Sequence, residues 1–286
     1  MTTPEMEPGG GFAPDLLAGQ CSLVTGGGSG IGRATALALG RVGAKVALLG
    51  RRAEPLQQTA AALQSLGAEA LPLTADIREP DSVRQALERI ATAWGRLDIL
   101  VNNAGGQYVS AARDISIKGF NAVVRNNLMG TWCVTKLVAD RFLFDHGGRV
   151  ICVTAAVRSG MGGFAHTAAA RGGVVALVKS LAFEWAEHGI LLNCVAPGTV
   201  KTDAMGQYPI PPDQWYRFDR NLLGRMGEPR EVADMIVFLA SPMAGFITGE
   251  EFHVDGGETI HLAHDARDMI DADMFSSRQR ADGKDR

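Results

Sequence analysis

Residues 21–50 read CSLVTGGGSGIGRATALALGRVGAKVALLG, and this stretch decides the fold. An apolar run, Ser22 to Thr25, leads into a glycine-rich turn, then an alanine- and leucine-rich segment of helical period from Ile31 to Val42. A second apolar run follows at Lys45 to Leu49. Strand, glycine turn, helix and strand make a βαβ unit. The glycines let the backbone turn sharply and approach a pyrophosphate, while the helix start offers unpaired N–H groups and partial positive charge. Gly26, Ser29, Gly30, Ile31 and Gly32 are therefore the candidate cradle for a dinucleotide. A glycine run alone says little, and its place between the first strand and first helix is what gives it meaning.

The same rhythm continues outward. Further strands are predicted at Ala70 to Thr74, Ile99 to Asn102, Val150 to Thr154, Leu191 to Val195 and Glu251 to Val254. Helices are predicted at Pro55 to Leu66, Asp81 to Trp94, Lys118 to Phe144, Thr167 to His188 and Pro229 to Ala240. Alternation of this kind predicts a single-domain, Rossmann-type, doubly wound α/β fold: seven mostly parallel strands with helices on both faces. The domain is expected to span residues 16–260, between an N-terminal tail (1–15) and a C-terminal extension (261–286). Residues 199–225 break the rhythm with Pro209, Pro211, Pro212 and aromatics including Tyr208 and Trp215, and read as a substrate lid.

Composition narrows the partners. A net charge of -3 with 28 scattered Lys and Arg residues offers no sequence-local basic patch, so nucleic acid is not expected. No apolar run reaches the roughly 18 residues of a membrane span. The N-terminus lacks the basic start and apolar core of a secretory signal, so a cytoplasmic location and no membrane partner are expected. Cys21, Cys133, Cys152 and Cys194 are far apart and read as reduced core residues, and no metal site is expected.

Cofactor choice is written at the end of the second strand. A carboxylate there would hold the ribose hydroxyls of NAD, but the sequence has Gly50 followed by Arg51 and Arg52. A guanidinium accommodates a 2′-phosphate, which points to NADP(H), although both arginines also fit as plain solvated charges.

These motifs resemble the short-chain dehydrogenase/reductase family over most of the chain. The carrying residues are TGGGSGIG at Thr25 to Gly32, Asp76, NNAG at Asn102 to Gly105, Asn127 in NNLMG, APG at Ala196 to Gly198, and TGEEFHVDGG at Thr248 to Gly257. The resemblance implies that Asp76 and Ile77 lie near the adenine and Asn103, Ala104 and Gly105 along its ribose. It also implies that Pro197, Gly198, Val200 and Thr202 lie near the nicotinamide carboxamide. It further implies a homotetramer built on the long helices and the last strand, and Trp132, Val134, Leu137, Val178, Leu181 and Trp185 supply apolar surface for it.

The family's chemistry rests on a serine and a YxxxK pair, in which tyrosine moves the proton and lysine lowers its pKa. Aligned through KSLA at 179–182, those positions hold Ala155, Thr167 and Arg171. An aliphatic hydroxyl is a far weaker acid than a phenol, and arginine cannot take part in a lysine proton relay. Phe12 to Gln20, Leu100 to Ser110, Ile115 to Val124 and Ala165 to Val174 resemble the peroxisomal trans-2-enoyl-CoA reductases, relatives of the 2,4-dienoyl-CoA reductases, which share the substituted pattern.

The implied reaction is reduction of the C=C bond of an acyl thioester or similar hydrophobic substrate. It creates an enolate that needs hydrogen-bond donors, not a strong acid. Thr167, Asn127 or a backbone N–H is the expected donor, and Arg171 takes lysine's place on the nicotinamide ribose. His166 is either the acid for the α-carbon or a structural histidine, and Tyr108 either an acid or a pocket-lining aromatic. Two other readings stay open: a carbonyl reductase or alcohol dehydrogenase with a displaced acid, and a nucleotide-binding protein without redox chemistry.

Overall fold

The computed structural model describes residues 11–158, 160–203, 206 and 221–260. Its elements in chain order are β1 (Cys21–Thr25), α1 (Gly30–Arg41), β2 (Lys45–Gly50), α2 (Ala53–Ser65), β3 (Ala70–Thr74), α3 (Pro80–Trp94) and β4 (Ile99–Asn102). There follow α4 (Ile117–Val124), α5 (Gly130–Val138), α6 (Phe144–His146), β5 (Gly148–Val153), α7 (Ala165–Trp185), β6 (Ile190–Pro197), α8 (Pro229–Ala240) and β7 (Glu251–Val254). The strands form one parallel seven-stranded sheet in the order β3-β2-β1-β4-β5-β6-β7, as the sequence predicts.

Alternation along each strand explains the layering. Leu23, Leu49, Leu100, Val150, Cys152 and Cys194 point to a core shared with α3, α5 and α7. Their neighbours Val24, Leu48, Val101, Ile151 and Val195 point the other way, against α1, α2 and α8. Because successive strand side chains alternate faces, a sheet buried on both sides needs apolar residues at nearly every position. β1 sits between β2 and β4, so the strand order reverses direction there and a crevice opens beyond the carboxyl ends.

One expected helix is interrupted. The run predicted as Lys118 to Phe144 contains π turns at Arg125–Met129 and Ala139–Leu143, which join α4, α5 and α6. In the first of these Asn127 turns its amide inward and donates to Val123 O at 2.9 Å, feeding a carbonyl of the widened turn. Thr131 Oγ1 donates to Asn127 O at 2.7 Å and closes the turn from the other side.

The apolar residues expected at a subunit interface require a correction. Val134, Val178, Leu181 and Trp185 are buried inside this chain, and Trp132 and Leu137 pack at the edge of the same core. Cys133 also departs from expectation, being half-buried while the other three free cysteines are buried. Residues 1–10 of the expected N-terminal tail (1–15), the C-terminal extension (261–286) and most of the expected lid (204–205 and 207–220) lie outside the described residues.

Candidate active site

The glycine turn is shaped for a close ligand. Gly26 and Gly30 adopt φ of 69° and 51°, the left-handed region that favours glycine. A Cβ on Gly32 would lie 2.2 Å from Gly26 O, so the first turn of α1 stacks directly on the loop. Ser29, the N-cap, uses no side-chain atom to cap the helix. The first-turn N–H groups therefore lack that partner. Ile31 packs partly into the core.

Thr25 ties this loop to the neighbouring strand. Its hydroxyl oxygen accepts the backbone N–H groups of Asn103 and Ala104, each at 3.0 Å. Asn103 Nδ2 returns a bond to Thr25 O at 2.9 Å. Gly26 and the NNAG segment are thus one rigid wall across the β1/β4 crevice. Across the cleft, Thr202 Cγ2 comes within 3.3 Å of a Cβ placed on Gly30, which brings the segment after β6 to the glycine turn.

At the far end of β2, Gly50, Arg51 and Arg52 lead into α2, and both arginines are exposed. Asp76 is chelated by Arg78, whose Nε lies 2.9 Å from Oδ1 and whose Nη2 lies 2.5 Å from Oδ2. That guanidinium, with a lesser contribution from Arg51, holds the Asp76 carboxyl down at about 2. Ile77 turns inward against Gly130, so its side chain is core.

Two clusters occupy the crevice beyond β4 and β5. In the first, Arg171 is 8% exposed and donates through Nη1 to Val153 O at 2.8 Å. Its Nη2 and Asn127 Oδ1 approach a Cβ placed on Gly105 to 2.1 and 2.5 Å, so only glycine fits there. Asn127 is buried and grips the next residue twice, accepting from Gly106 N at 3.3 Å and donating to Gly106 O at 2.8 Å.

In the second cluster Thr167, 1% exposed, lies one helical turn from Arg171 on the inner face of α7. Its Oγ1 is 3.2 Å from His166 Nδ1, and its backbone N–H donates to that same nitrogen at 2.8 Å. Nδ1 is therefore an acceptor and the ring proton resides on Nε2. Burial pushes the His166 pKa down and so favours the neutral imidazole, whose Nε2 is buried. Tyr108 packs edge-on to this ring at a centroid separation of 4.3 Å. The Tyr108 hydroxyl lies against Gly119 at the start of α4.

The segment after β6 is clamped by a residue whose role sequence reasoning missed. Glu258 Oε2 accepts the Thr199 N–H at 2.8 Å and lies 2.5 Å from a Cβ placed on Gly198. Pro197 ends β6, Gly198 N donates to Val254 O at 3.1 Å, and Val200 bridges to Gly227. Among the described residues, no group of His, Cys, Asp or Glu could hold a metal ion.

A doubly wound parallel sheet with a glycine cradle at its switch point defines a dinucleotide-binding α/β protein. Residues 26–259 match the family model described as "Enoyl-(Acyl carrier protein) reductase". The chain is 32% identical over 273 residues to a peroxisomal 2,4-dienoyl-CoA reductase of Danio rerio, covering 91% of this chain and 88% of that one. Among solved structures it is similar to a citronellol catabolism dehydrogenase of Pseudomonas aeruginosa, with a TM-score of 0.78 and 38% identity over 87% of this chain and 98% of that one. It is also similar to a short-chain dehydrogenase of Burkholderia cenocepacia in complex with NADP, with a TM-score of 0.77 and 31% identity over 85% and 98% of the two chains. The chain belongs to the short-chain dehydrogenase/reductase family, whose members are nicotinamide-dependent oxidoreductases, with 2,4-dienoyl-CoA reductases among its relatives.

Proposed function

We propose that this chain is an NADP(H)-dependent reductase acting on the C=C bond of an enoyl thioester. The observation that carries the reading is the inner face of α7, where a buried hydroxyl and a guanidinium, Thr167 and Arg171, stand one turn apart. The nearby phenol of Tyr108 is turned against α4. A carbonyl reduction must protonate an alkoxide almost as it forms, whereas an enolate persists while donors hold its oxygen. The dienoyl-CoA reductase named among the relatives acts on this class of substrate and supports the choice.

In this reading the glycine turn and the start of α1 take the pyrophosphate. Arg51 and Arg52 face the 2′-phosphate, and Asp76 and the Asn103–Gly105 wall line the adenosine. Pro197, Gly198, Val200 and Thr202 border the nicotinamide. The cofactor supplies a hydride there. Asn127 fixes the wall through Gly106, and Thr167 offers its hydroxyl to the substrate oxygen. That hydroxyl also faces His166 Nδ1, so it donates to substrate only when it rotates away from the ring.

Absorbance loss of NADPH tests the reaction. Turnover of a trans-2-enoyl thioester should exceed that of the matching 3-ketoacyl thioester by about tenfold or more in kcat/KM. Faster reduction of the ketone would overturn the reading and favour a carbonyl reductase with a displaced acid. Tight NADPH binding with no turnover of any thioester would favour a non-redox nucleotide-binding role.

The assembly proposed is a homotetramer, in the cytoplasm. With the buried residues of α5 and α7 set aside, exposed apolar side chains on this stretch of helices include Met129, 53% exposed, and Phe183, 88% exposed. Met129 lies on a groove of about 390 Å³ floored by Trp132, Cys133 and Leu137 and rimmed by Arg78, Arg84, Arg125 and Lys136. Each rim cation is paired with a carboxylate, namely Asp76, Asp81, Glu79 and Asp140, which leaves the groove without a strong net field. Such a neutralised apolar groove suits another copy of the chain better than an anion. Light scattering at micromolar concentration should give the mass of four chains, and a monomeric mass would refute the assembly.

A further inference from the structure

We propose that Arg171 is the oxyanion site of the reaction, its guanidinium receiving the negative charge that develops on the thioester oxygen. The inference rests on the enoyl-reductase reading and changes the part Arg171 takes in it, from holder of a ribose to electrostatic stabiliser of the enolate.

The ground is an unbalanced charge. Arg171 is nine-tenths buried, and among the described residues no carboxylate comes within ion-pair distance of it. Of the five N–H donors of a guanidinium, one is engaged among the described residues, by Val153 O at 2.8 Å. Buried cations are ordinarily paired, because an unpaired charge in a low-dielectric site is costly. Burial here pushes the guanidinium down to about 10, which still leaves it charged near neutral pH.

The neighbours do not supply an anion. Cys152 and Cys194 face each other across β5 and β6 and are the groups that act on Arg171 electrostatically. Burial raises both thiols, Cys152 to about 11, so they stay protonated. Asn127 presents only a neutral amide oxygen, already accepting from Gly106. Meanwhile Nη2 is directed at Gly105, the residue of the cleft wall where no side chain fits. A fixed cation with free donors, at the cleft wall and without a counter-ion, is poised for charge that appears only during reaction.

A hydride brings an electron pair to the β-carbon. The C=C π pair moves between the α-carbon and the thioester carbon, and the carbonyl π pair moves onto oxygen beside Arg171. The enolate π pair then takes a proton from water at the α-carbon, leaving hydroxide for the solvent to neutralise, the oxygen's pair re-forms the C=O bond, and the saturated thioester leaves. Arg171 neither gains nor loses a proton.

The test separates this from ribose binding by using an enolate that needs no cofactor. Acetoacetyl-CoA ionises to an enolate that absorbs in the near ultraviolet, and its apparent pKa can be titrated on the protein at saturating ligand. The unaltered protein should lower that pKa by about one unit or more, a tenfold or greater preference for the anion. Arg171→Gln should abolish the shift while NADPH affinity, read by fluorescence, stays within about threefold. Arg171→Lys should keep part of the shift. Melting curves establish that each variant is folded, and if Arg171→Gln does not fold, the Arg171→Lys titration decides.

A shift that survives in Arg171→Gln overturns the proposal, as does the absence of any shift in the unaltered protein. Loss of NADPH affinity with the enolate shift intact returns Arg171 to the ribose. An Arg171-dependent shift in a protein that reduces no enoyl thioester supports the oxyanion site and sinks the reaction assigned above, so the two can fail separately.

Discussion

Gly32→Ala should lower NADPH affinity by about 100-fold or more while leaving the sheet intact. The added methyl would lie 2.2 Å from Gly26 O, 2.4 Å from Asn103 Nδ2 and 2.8 Å from Gly26 C. None of these atoms is the free end of a flexible side chain. Gly26 is held by its own bond to Leu49 O at 2.7 Å, and Asn103 is anchored to Thr25 O. Relief therefore requires the loop to lift off α1, which removes the approach of backbone to pyrophosphate that the glycines exist to permit. Titration of NADPH by fluorescence reads the loss, and far-ultraviolet circular dichroism checks the fold. Affinity within about fivefold of the unaltered protein would show that the turn is not the cradle.

The second large effect is in cofactor choice. Arg51→Asp should invert a preference for NADPH over NADH, with a change in the ratio of affinities of about 100-fold. Arg51 is exposed just past β2, close enough to Asp76 to help depress its pKa. The Arg51 guanidinium, with Arg52 beside it, is free to meet a 2′-phosphate, whereas the Arg78 guanidinium is committed to Asp76. An aspartate there would repel that phosphate, and it could instead accept from the two ribose hydroxyls of NADH. Equal affinities for the two cofactors in the unaltered protein would remove the basis of the NADP(H) assignment.

Much of the architecture was legible because it depends on local periodicity. β3, β4, β7 and α8 begin and end where the apolar runs and the Glu228-Pro229 start place them. Other strands and helices differ by a few residues at the ends, as capping and fraying shift them. The π turns were not legible. In the first of them Asn127 reaches Val123 O and Gly106 O, and the latter is a tertiary contact that no period of three or four residues reports.

The chemical corner divides the same way. That Thr167 and Arg171 share a face follows from their four-residue spacing. That Arg171 ends at Val153 O, with no carboxylate beside it among the described residues, and that the Tyr108 hydroxyl turns to Gly119, depends on the meeting of separate segments. The Glu258 clamp on Thr199 joins residues 59 positions apart. Val134 and Trp185 read as surface because their helices carry apolar residues over a wide arc. They proved internal because α5 and α7 are wedged between the sheet and their neighbouring helices.

The position of β1 bears on how the protein is made. Of these seven strands β1 leaves the ribosome first, and it lies inside the sheet, flanked by β2 and β4. The sheet must therefore grow outward from its oldest strand, to β3 on one side and through β4, β5, β6 and β7 on the other. The glycine turn and the Asn103 wall can close once residue 105 has emerged, before any of α7 exists. Until β5 is synthesised, however, β4 presents an open edge of unpaired N–H and C=O groups. During translation the nucleotide half thus has a template for self-association that the finished molecule conceals, and the hairpin-free, all-parallel topology makes closing it slow.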